Sequence, residues 1–474
     1  MKKTVDLVVI GAGSGGLYVA SGAAALGARV VLIESEKMGG ECLHSGCVPS
    51  KSFLKGAHLA KDISNSKKFG IHTTVDSIKI DELMSRVQKV IASIQPHDSA
   101  ERFESLGVNV FFGKAQLIDA HTVLINGKPI ISKSIVISTG SQALVPPIKG
   151  LDTVSYLTNK NIFNLKTQPK HLIVLGGGPI GLELGQGFSH LGSAVTIIDA
   201  SPSLFGKDDQ EVGPLMEKIF REENIHLKLS TKIIEVAKKD NEIVVLVEKD
   251  GVTEEVIGDQ LLVSLGRSPV TEGLGLNKVG IRVDKRGYIV TNKKLQTNIK
   301  NIYACGDVTG PYQFTHMASY QAGIVIKNSL FHLGSKTDYS AVPWTTYTKP
   351  EVAHVGYTEA MAREAKVFKS TILVSLNDND RAKAENDTQG FLKLIIGNRN
   401  KLIGATLVGE KAGEIMPVAT LAIHQKLAAS AFLNFIFAYP TEAEIFQAAS
   451  GQALRRSFKP WQAKLIKAIF FRQS

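Results

Sequence analysis

An apolar strand, a six-residue glycine pattern, a helix and a second strand ending in an acid occur twice in this chain, and the last quarter lacks that pattern. These observations predict an α/β fold: two Rossmann-like dinucleotide-binding domains, then a separate α+β domain of alternating strands and helices. The 474 residues are enough for about three domains. Hydrophobic content of 44% and charged content of 21% describe an ordinary globular protein.

The first unit runs from the strand Asp6–Ile10 through Gly11-Ala12-Gly13-Ser14-Gly15-Gly16 and an Ala-rich helix, Leu17–Leu26, to the strand Val30–Ile33 and Glu34. Gly11 allows the turn, Gly13 lets backbone amides approach a diphosphate, and Gly16 lets helix and strand pack closely. The exposed N–H groups at the helix start favour an anion there. Glu34, 21 residues after Gly13, is placed to accept from ribose hydroxyls.

The second unit repeats this order. His171–Leu175 leads into Gly176-Gly177-Gly178-Pro179-Ile180-Gly181, a helix, and the strand Val195–Ile198 with Asp199, again 21 residues after Gly178. Two nucleotide sites in one chain point to a flavin and a nicotinamide, one holding electrons that the other delivers. Asp199 matches a free 2′-hydroxyl and repels a 2′-phosphate, and the run to Lys207 holds no arginine, so NAD(H) is favoured over NADP(H).

Ser134–Gly140 reads as a strand and then a turn, leading to the crossover at Pro146-Pro147; Val263–Arg267 reads as the return from the second domain, and Ile302–Cys305 as a short strand just before Asp307. The expected domains are 1–148, 149–272, 273–341 and 342–456, followed by a tail at 457–474.

Gly39-Gly40-Glu41-Cys42-Leu43-His44-Ser45-Gly46-Cys47-Val48-Pro49-Ser50-Lys51 holds two of the three cysteines. A bridge between Cys42 and Cys47 would close so small a ring that it adds little stability. Two buried free thiols are the structural alternative, and no further Cys or His pair offers the ligands of a metal site. Cys42 and Cys47 are read as a redox-active dithiol/disulfide. So few cysteines exclude a secreted disulfide scaffold and suggest a reducing, cytoplasmic compartment.

The apolar run in MKKTVDLVVIGAG is too short for a signal peptide, and no stretch reaches the roughly 18 apolar residues of a membrane span. Net charge is +11, of which six come from Arg455, Arg456, Lys459, Lys464, Lys467 and Arg472. Nothing resembles a nucleic-acid-binding motif. After Pro460, apolar residues Trp461, Leu465, Ile466, Ile469 and Phe470 share one helical half and Lys464 and Lys467 take the other, and Phe471 breaks the pattern. That pattern suits an anionic membrane surface, such as the inner face of the cell membrane, or packing on the protein's own dimer.

GGECLHSGCVPSK, GGGPIGLELG at 176–185, LGRSP at 265–269, ACGDVTG at 304–310 and PWTTYTKPEVAHVGYTE at 343–359 together resemble the pyridine nucleotide-disulfide oxidoreductases with paired cysteines, from Val5 to about Ala449. That family includes lipoamide dehydrogenase, glutathione reductase and mercuric reductase. The resemblance implies FAD in the first site, with Gly11, Gly13, Gly16 and Glu34 on its adenosine half. Gly40, Thr139 and Gly140 would lie against the flavin nucleotide, and Asp307 would accept from its ribitol chain. Gly176, Gly178, Gly181, Asp199 and Gly266 would form the NAD site. Cys47 would be the thiol next to the flavin and Cys42 the outer thiol; Lys51 would pair with Glu183 beside the flavin. It also implies a homodimer, formed by the C-terminal interface domain, in which Tyr439 and Glu444 of one subunit complete the Cys42 site of the other.

The chain departs from the family's motifs at three residues. Glu41 replaces a usual threonine and His44 a usual asparagine. Tyr439 stands where disulfide-reducing members carry a histidine base; tyrosine titrates near 10 against about 6.5 for histidine. Two features of mercuric reductase, a cysteine pair after Cys305 and a metal-binding domain before Val5, are expected to be missing. His44 could supply a substitute base. The expected function is transfer of electrons from NAD(P)H through FAD and the Cys42–Cys47 pair to a small-molecule acceptor, a small disulfide or thiol-bound metal, as in mercuric reductase. Dihydrolipoyl dehydrogenase is the alternative; a membrane-peripheral flavin electron carrier is the alternative from another class.

Overall fold

The computed structural model describes residues 4–457 and 460–471. Lys459 and Arg472, two bases of the expected tail, lie outside the described residues. The chain forms two compact units, residues 1–200 with 223–337 and residues 201–222 with 338–474.

The first unit is built on a mixed seven-stranded sheet, in which Thr122–Ile125 and Ala115–Leu117 pair antiparallel beyond Lys128–Ile137, and a parallel four-stranded sheet. Val108–Phe112, Val30–Glu34, Val5–Ile10 and Lys128–Ile137 lie side by side in that order, all parallel, and Ile302–Ala304 adds beside Lys128–Ile137. The central runs Leu7–Ile10 and Val30–Ile33 are apolar and buried because parallel strands are covered on both faces. Val8, Ile10 and Ile135 face one core, and Leu7, Val9 and Val136 the other. The helix Ser14–Ala25 follows the first strand and packs with the helix Thr315–Phe331. The second sheet has the order Ile225–Lys228, Ala194–Ile198, His171–Leu175, Gln260–Val263, again all parallel. A three-stranded antiparallel sheet, Lys232–Lys239, Glu242–Lys249 and Val252–Gly258, completes this part.

In the second unit a five-stranded antiparallel sheet has the order Pro343–Thr346, Glu351–Gly356, Leu402–Gly409, Phe391–Gly397, Phe368–Ser375. Its core joins Val355, Ile372, Leu394 and Leu407 to Phe432 and Phe446. Residues 201–222 belong here, although they follow Asp199 directly in sequence. Polar bonds hold them. Lys393, with its side chain 1% exposed, reaches Glu211 at 2.7 Å, Asp209 at 3.3 Å and Glu359 at 2.8 Å. Thr406 Oγ1 donates to Asp209 Oδ2 at 2.6 Å, and Trp344 Nε1 donates to Asp208 Oδ1 at 2.8 Å.

Candidate active site

Both glycine turns take the form the sequence predicts. A Cβ at Gly16 would overlap the carbonyl oxygen of Gly11, and one at Gly181 that of Gly176, so only glycine lets each helix sit this close to its strand. The middle glycines differ. A Cβ on Gly178 would meet nothing within 4 Å, and one on Gly13 would only reach Gly40 Cα at 4.0 Å. Each turn therefore borders open space where backbone amides can meet a diphosphate, which fits FAD at the first site and a nicotinamide dinucleotide at the second. The acids repeat one geometry: Ala12 N donates to Glu34 Oε2 and Gly177 N to Asp199 Oδ2, both at 2.6 Å. Glu34 also accepts from Glu36 N through Oε1 at 2.7 Å, and the roughly four acceptor positions of a carboxylate leave capacity there for ribose hydroxyls.

The cysteines sit on two consecutive helices, Cys42 within Gly40–His44 and Cys47 as the first residue of Cys47–Ser64. All three cysteines are free thiols, with Cys42 half-buried, Cys47 exposed and Cys305 buried. Thr315, the first residue of its helix, places Oγ1 3.2 Å from Cys42 Sγ and 3.4 Å from Cys47 Sγ. Two helix N-termini thus meet at the sulfurs, and both favour negative charge there. The Cys42 thiol donates to Cys47 and holds it down to about 6 against the effect of burial, helped by Thr315 and the charge of Lys51. Cys42, donor in that bond and partly buried, is pushed well above the ordinary thiol value. The dithiol therefore loses one proton easily and keeps the other on Cys42. Burial alone pushes Cys305 up to about 12.

Lys51, four residues along the helix from Cys47, donates to Glu183 Oε2 at 2.8 Å on the facing helix Pro179–His190. This joins the two residues as expected from sequence. Near Asp307 the sequence reading was incomplete. Ser141 Oγ donates to Asp307 Oδ2 at 2.6 Å, and Arg267 Nε donates to Ser141 Oγ at 2.7 Å. Arg267 Nη2 also donates to Glu41 Oε2, whose other oxygen accepts from Asn159 Nδ2 at 3.0 Å. Glu41, the departure next to Cys42, is thus an ion-pair partner of Arg267. Burial raises the Asp307 carboxyl, partly offset by Ser141 and Arg267. Thr139 Oγ1 donates to Val270 O at 2.6 Å, Gly140 O accepts from Val270 N at 3.0 Å, and Gly266 O accepts from Leu144 N at 2.9 Å.

Other predicted residues have local partners. His44 Nε2 lies 2.8 Å from Met38 O, so one ring nitrogen serves to hold the loop. Tyr439 is 72% exposed, and its hydroxyl donates to Asp380 Oδ2 at 3.2 Å. That bond to a carboxylate raises the phenol above its ordinary value. Glu444 does not meet Tyr439 through this bond; its Oε2 accepts from Thr441 N at 3.1 Å in a capping box. Among the described residues no group of three or more His, Cys, Asp or Glu is placed to hold a metal ion.

Sequence reasoning missed Thr315 and Arg267 as site residues. Thr315 lies 268 positions from Cys47, and its one signal is its place at a helix start shortly after ACGDVTG.

Residues 5–322 match the family model described as pyridine nucleotide-disulphide oxidoreductase, and residues 342–450 match its dimerisation domain. A mercuric reductase of Staphylococcus aureus is 34% identical over 93% of this chain and 80% of its own length. A dihydrolipoyl dehydrogenase of Chlamydia trachomatis serovar D is also 34% identical, over 94% of this chain and 96% of its own. The Cu(II) complex of the HOCl-induced flavoprotein disulfide reductase RclA from Escherichia coli superposes with a TM-score of 0.84, at 27% identity over 95% of this chain and 99% of that one.

Proposed function

The chain belongs to the FAD-dependent pyridine nucleotide-disulphide oxidoreductases, and from that premise we propose that it moves electrons from NADH through Cys42 and Cys47 to a thiolate-bound metal ion. FAD, when bound, supplies the two-electron step between nicotinamide and sulfur. Gly11, Gly13, Gly16 and Glu34 hold its adenosine half, with Gly40, Thr139, Gly140 and Asp307 along the rest. Gly176, Gly178, Gly181, Asp199 and Gly266 hold the nicotinamide dinucleotide, and Asp199 selects against a 2′-phosphate. Lys51 and Glu183 fix a positive charge near Cys47, and Thr315 orients both sulfurs.

The observation that carries the choice of acceptor is Tyr439, where the family's disulfide-reducing members carry a histidine. Reducing a disulfide RSSR to two RSH oxidises the dithiol to the Cys42–Cys47 disulfide and moves two protons onto the product thiols. A phenol raised by Asp380 and already donating to it neither takes nor returns those protons near neutral pH. A mercury(II) ion bound by both sulfurs instead displaces the protons that remain on them, takes two electrons to leave as mercury(0) while the sulfurs close to the Cys42–Cys47 disulfide, and needs no proton back. Two copper(II) ions accept the same pair of electrons, one each. The mercuric reductase relative and the copper complex of RclA support a thiophilic metal acceptor. In the homodimer expected of the matched dimerisation domain, Tyr439 and Glu444 serve the partner's Cys42 site.

The test is anaerobic NADH oxidation by the purified flavoprotein with Hg(II), Cu(II), lipoamide and glutathione disulfide. Metal turnover should exceed disulfide turnover by about tenfold or more, and Tyr439→His should raise only the disulfide rates. Lipoamide turnover equal to that with metals overturns the reading.

A further inference from the structure

We propose that the helix Pro460–Phe470 docks the enzyme on the surface of an anionic phospholipid bilayer. Trp461, Leu465, Ile469 and Phe470 are 58%, 49%, 59% and 72% exposed. At 100° per residue Trp461, Leu465, Ile466, Ile469 and Phe470 span one half of the helix, and Lys464 and Lys467 fall in the other half. A soluble surface helix normally turns such residues inward, and a large exposed apolar face marks an interaction site.

Charge identifies the partner. Residues 451–474 contain six Lys and Arg and no Asp or Glu. Packing this segment on its own copy across a two-fold axis would set like charges against each other with no acid in the segment to offset them. The match to the dimerisation domain ends at residue 450, before this helix begins. An anionic lipid surface satisfies both halves of the helix, because apolar side chains enter the acyl boundary while lysines meet headgroup phosphates. The helix has 11 residues, about 16 Å, too short to cross a hydrocarbon core of about 30 Å, so it lies in the interface. Arg456 Nη1 donates to Thr371 O at 2.7 Å, which ties the preceding helix Ile445–Ser457 to the edge of its sheet. The docked helix is therefore tethered closely to the folded domain.

The test is sedimentation of the purified full-length flavoprotein with vesicles of phosphatidylglycerol and phosphatidylcholine, or of phosphatidylcholine alone. Binding to the anionic vesicles should be about tenfold or more higher and should fall as salt rises toward about 0.5 M. The pair Leu465→Glu with Ile469→Glu, the pair Lys464→Glu with Lys467→Glu, and a chain ending at Ser457 should each lose that binding. All three should keep the dimer mass by light scattering and the parent's rate of NADH oxidation in solution. Equal sedimentation of parent and variants overturns the proposal. So does equal binding to neutral and anionic vesicles, or conversion of the variants to monomers, which would make the helix a dimer contact.

Discussion

Replacing Thr315 with valine removes one hydroxyl from between the two sulfurs and keeps the side chain's size. A hydrogen bond to a charged acceptor contributes roughly 1.5–3 kcal/mol when well formed. This one is long, 3.4 Å to Cys47, and Oγ1 is shared with Cys42 at 3.2 Å. About 1 kcal/mol is therefore at stake, a little under one pKa unit. Cys47 should rise from about 6 toward about 7. The assay is alkylation of the pre-reduced flavoprotein by iodoacetamide across pH; Cys305 stays silent because it is buried and pushed up to about 12. At about pH 6 the thiolate fraction should fall from about one half to about one seventh, slowing alkylation roughly threefold, while at about pH 9 the two rates should agree. A folded-state value below the unfolded one adds stability above the unfolded value, and that stability is lost as pH falls through the folded value. The variant should therefore lose about 1 kcal/mol of unfolding free energy at about pH 9 and nothing through this thiolate at about pH 5. Superimposable alkylation profiles would refute the claim that Thr315 stabilises the thiolate.

Two further variants probe the polar frame. Glu41→Thr restores the family's usual residue, yet should cost about 1–3 kcal/mol in urea unfolding because half-buried Arg267 and buried Asn159 lose their shared acceptor. An unchanged urea midpoint would mean water replaces the carboxylate without loss. Lys393→Met should cost about 3–5 kcal/mol by leaving Asp209 and Glu359 without their buried cation. Since Trp344 donates to Asp208 in the same unit, its fluorescence should report that unit unfolding at lower denaturant.

Strands buried on both faces were legible as apolar runs, Leu7–Ile10, Val30–Ile33, His171–Leu175 and Val195–Ile198 among them. The edge strands Val108–Phe112 and Ile225–Lys228, with exposed and polar positions, were not. His171–Leu175 agrees with expectation to the residue. The first helix begins at Ser14, earlier than Leu17, because Ser14, Gly15 and Gly16 give no apolar signal although Gly13 already caps the helix. The cysteine pair, Lys51 and Glu183 were also legible, through motif spacing and family resemblance. The Glu41–Arg267 pair and the Thr315 hydroxyl were not. They join positions 226 to 273 residues apart, and no local pattern encodes a contact closed by tertiary folding. The placing of residues 201–222 was hidden in the same way, since Asp209 and Glu211 look like solvated acids until Lys393 is buried against them.

The sulfur site and the missing histidine point the same way. The hydrogen bond from the Cys42 thiol, helped by Thr315 and Lys51, makes one proton easy to lose from Cys47, while the second stays on Cys42. A site that feeds protons to departing thiols needs a group that exchanges them near neutral pH, and a phenol raised by a neighbouring carboxylate titrates far above that range. Thiolate capture of a metal, by contrast, only expels protons, and a Cys47 already ionised near neutral pH leaves one proton to displace instead of two. On the proposed reading, the departure at Tyr439 and the electrostatics around Cys47 are therefore consistent parts of one design, in which electrons leave through sulfur and protons leave to solvent.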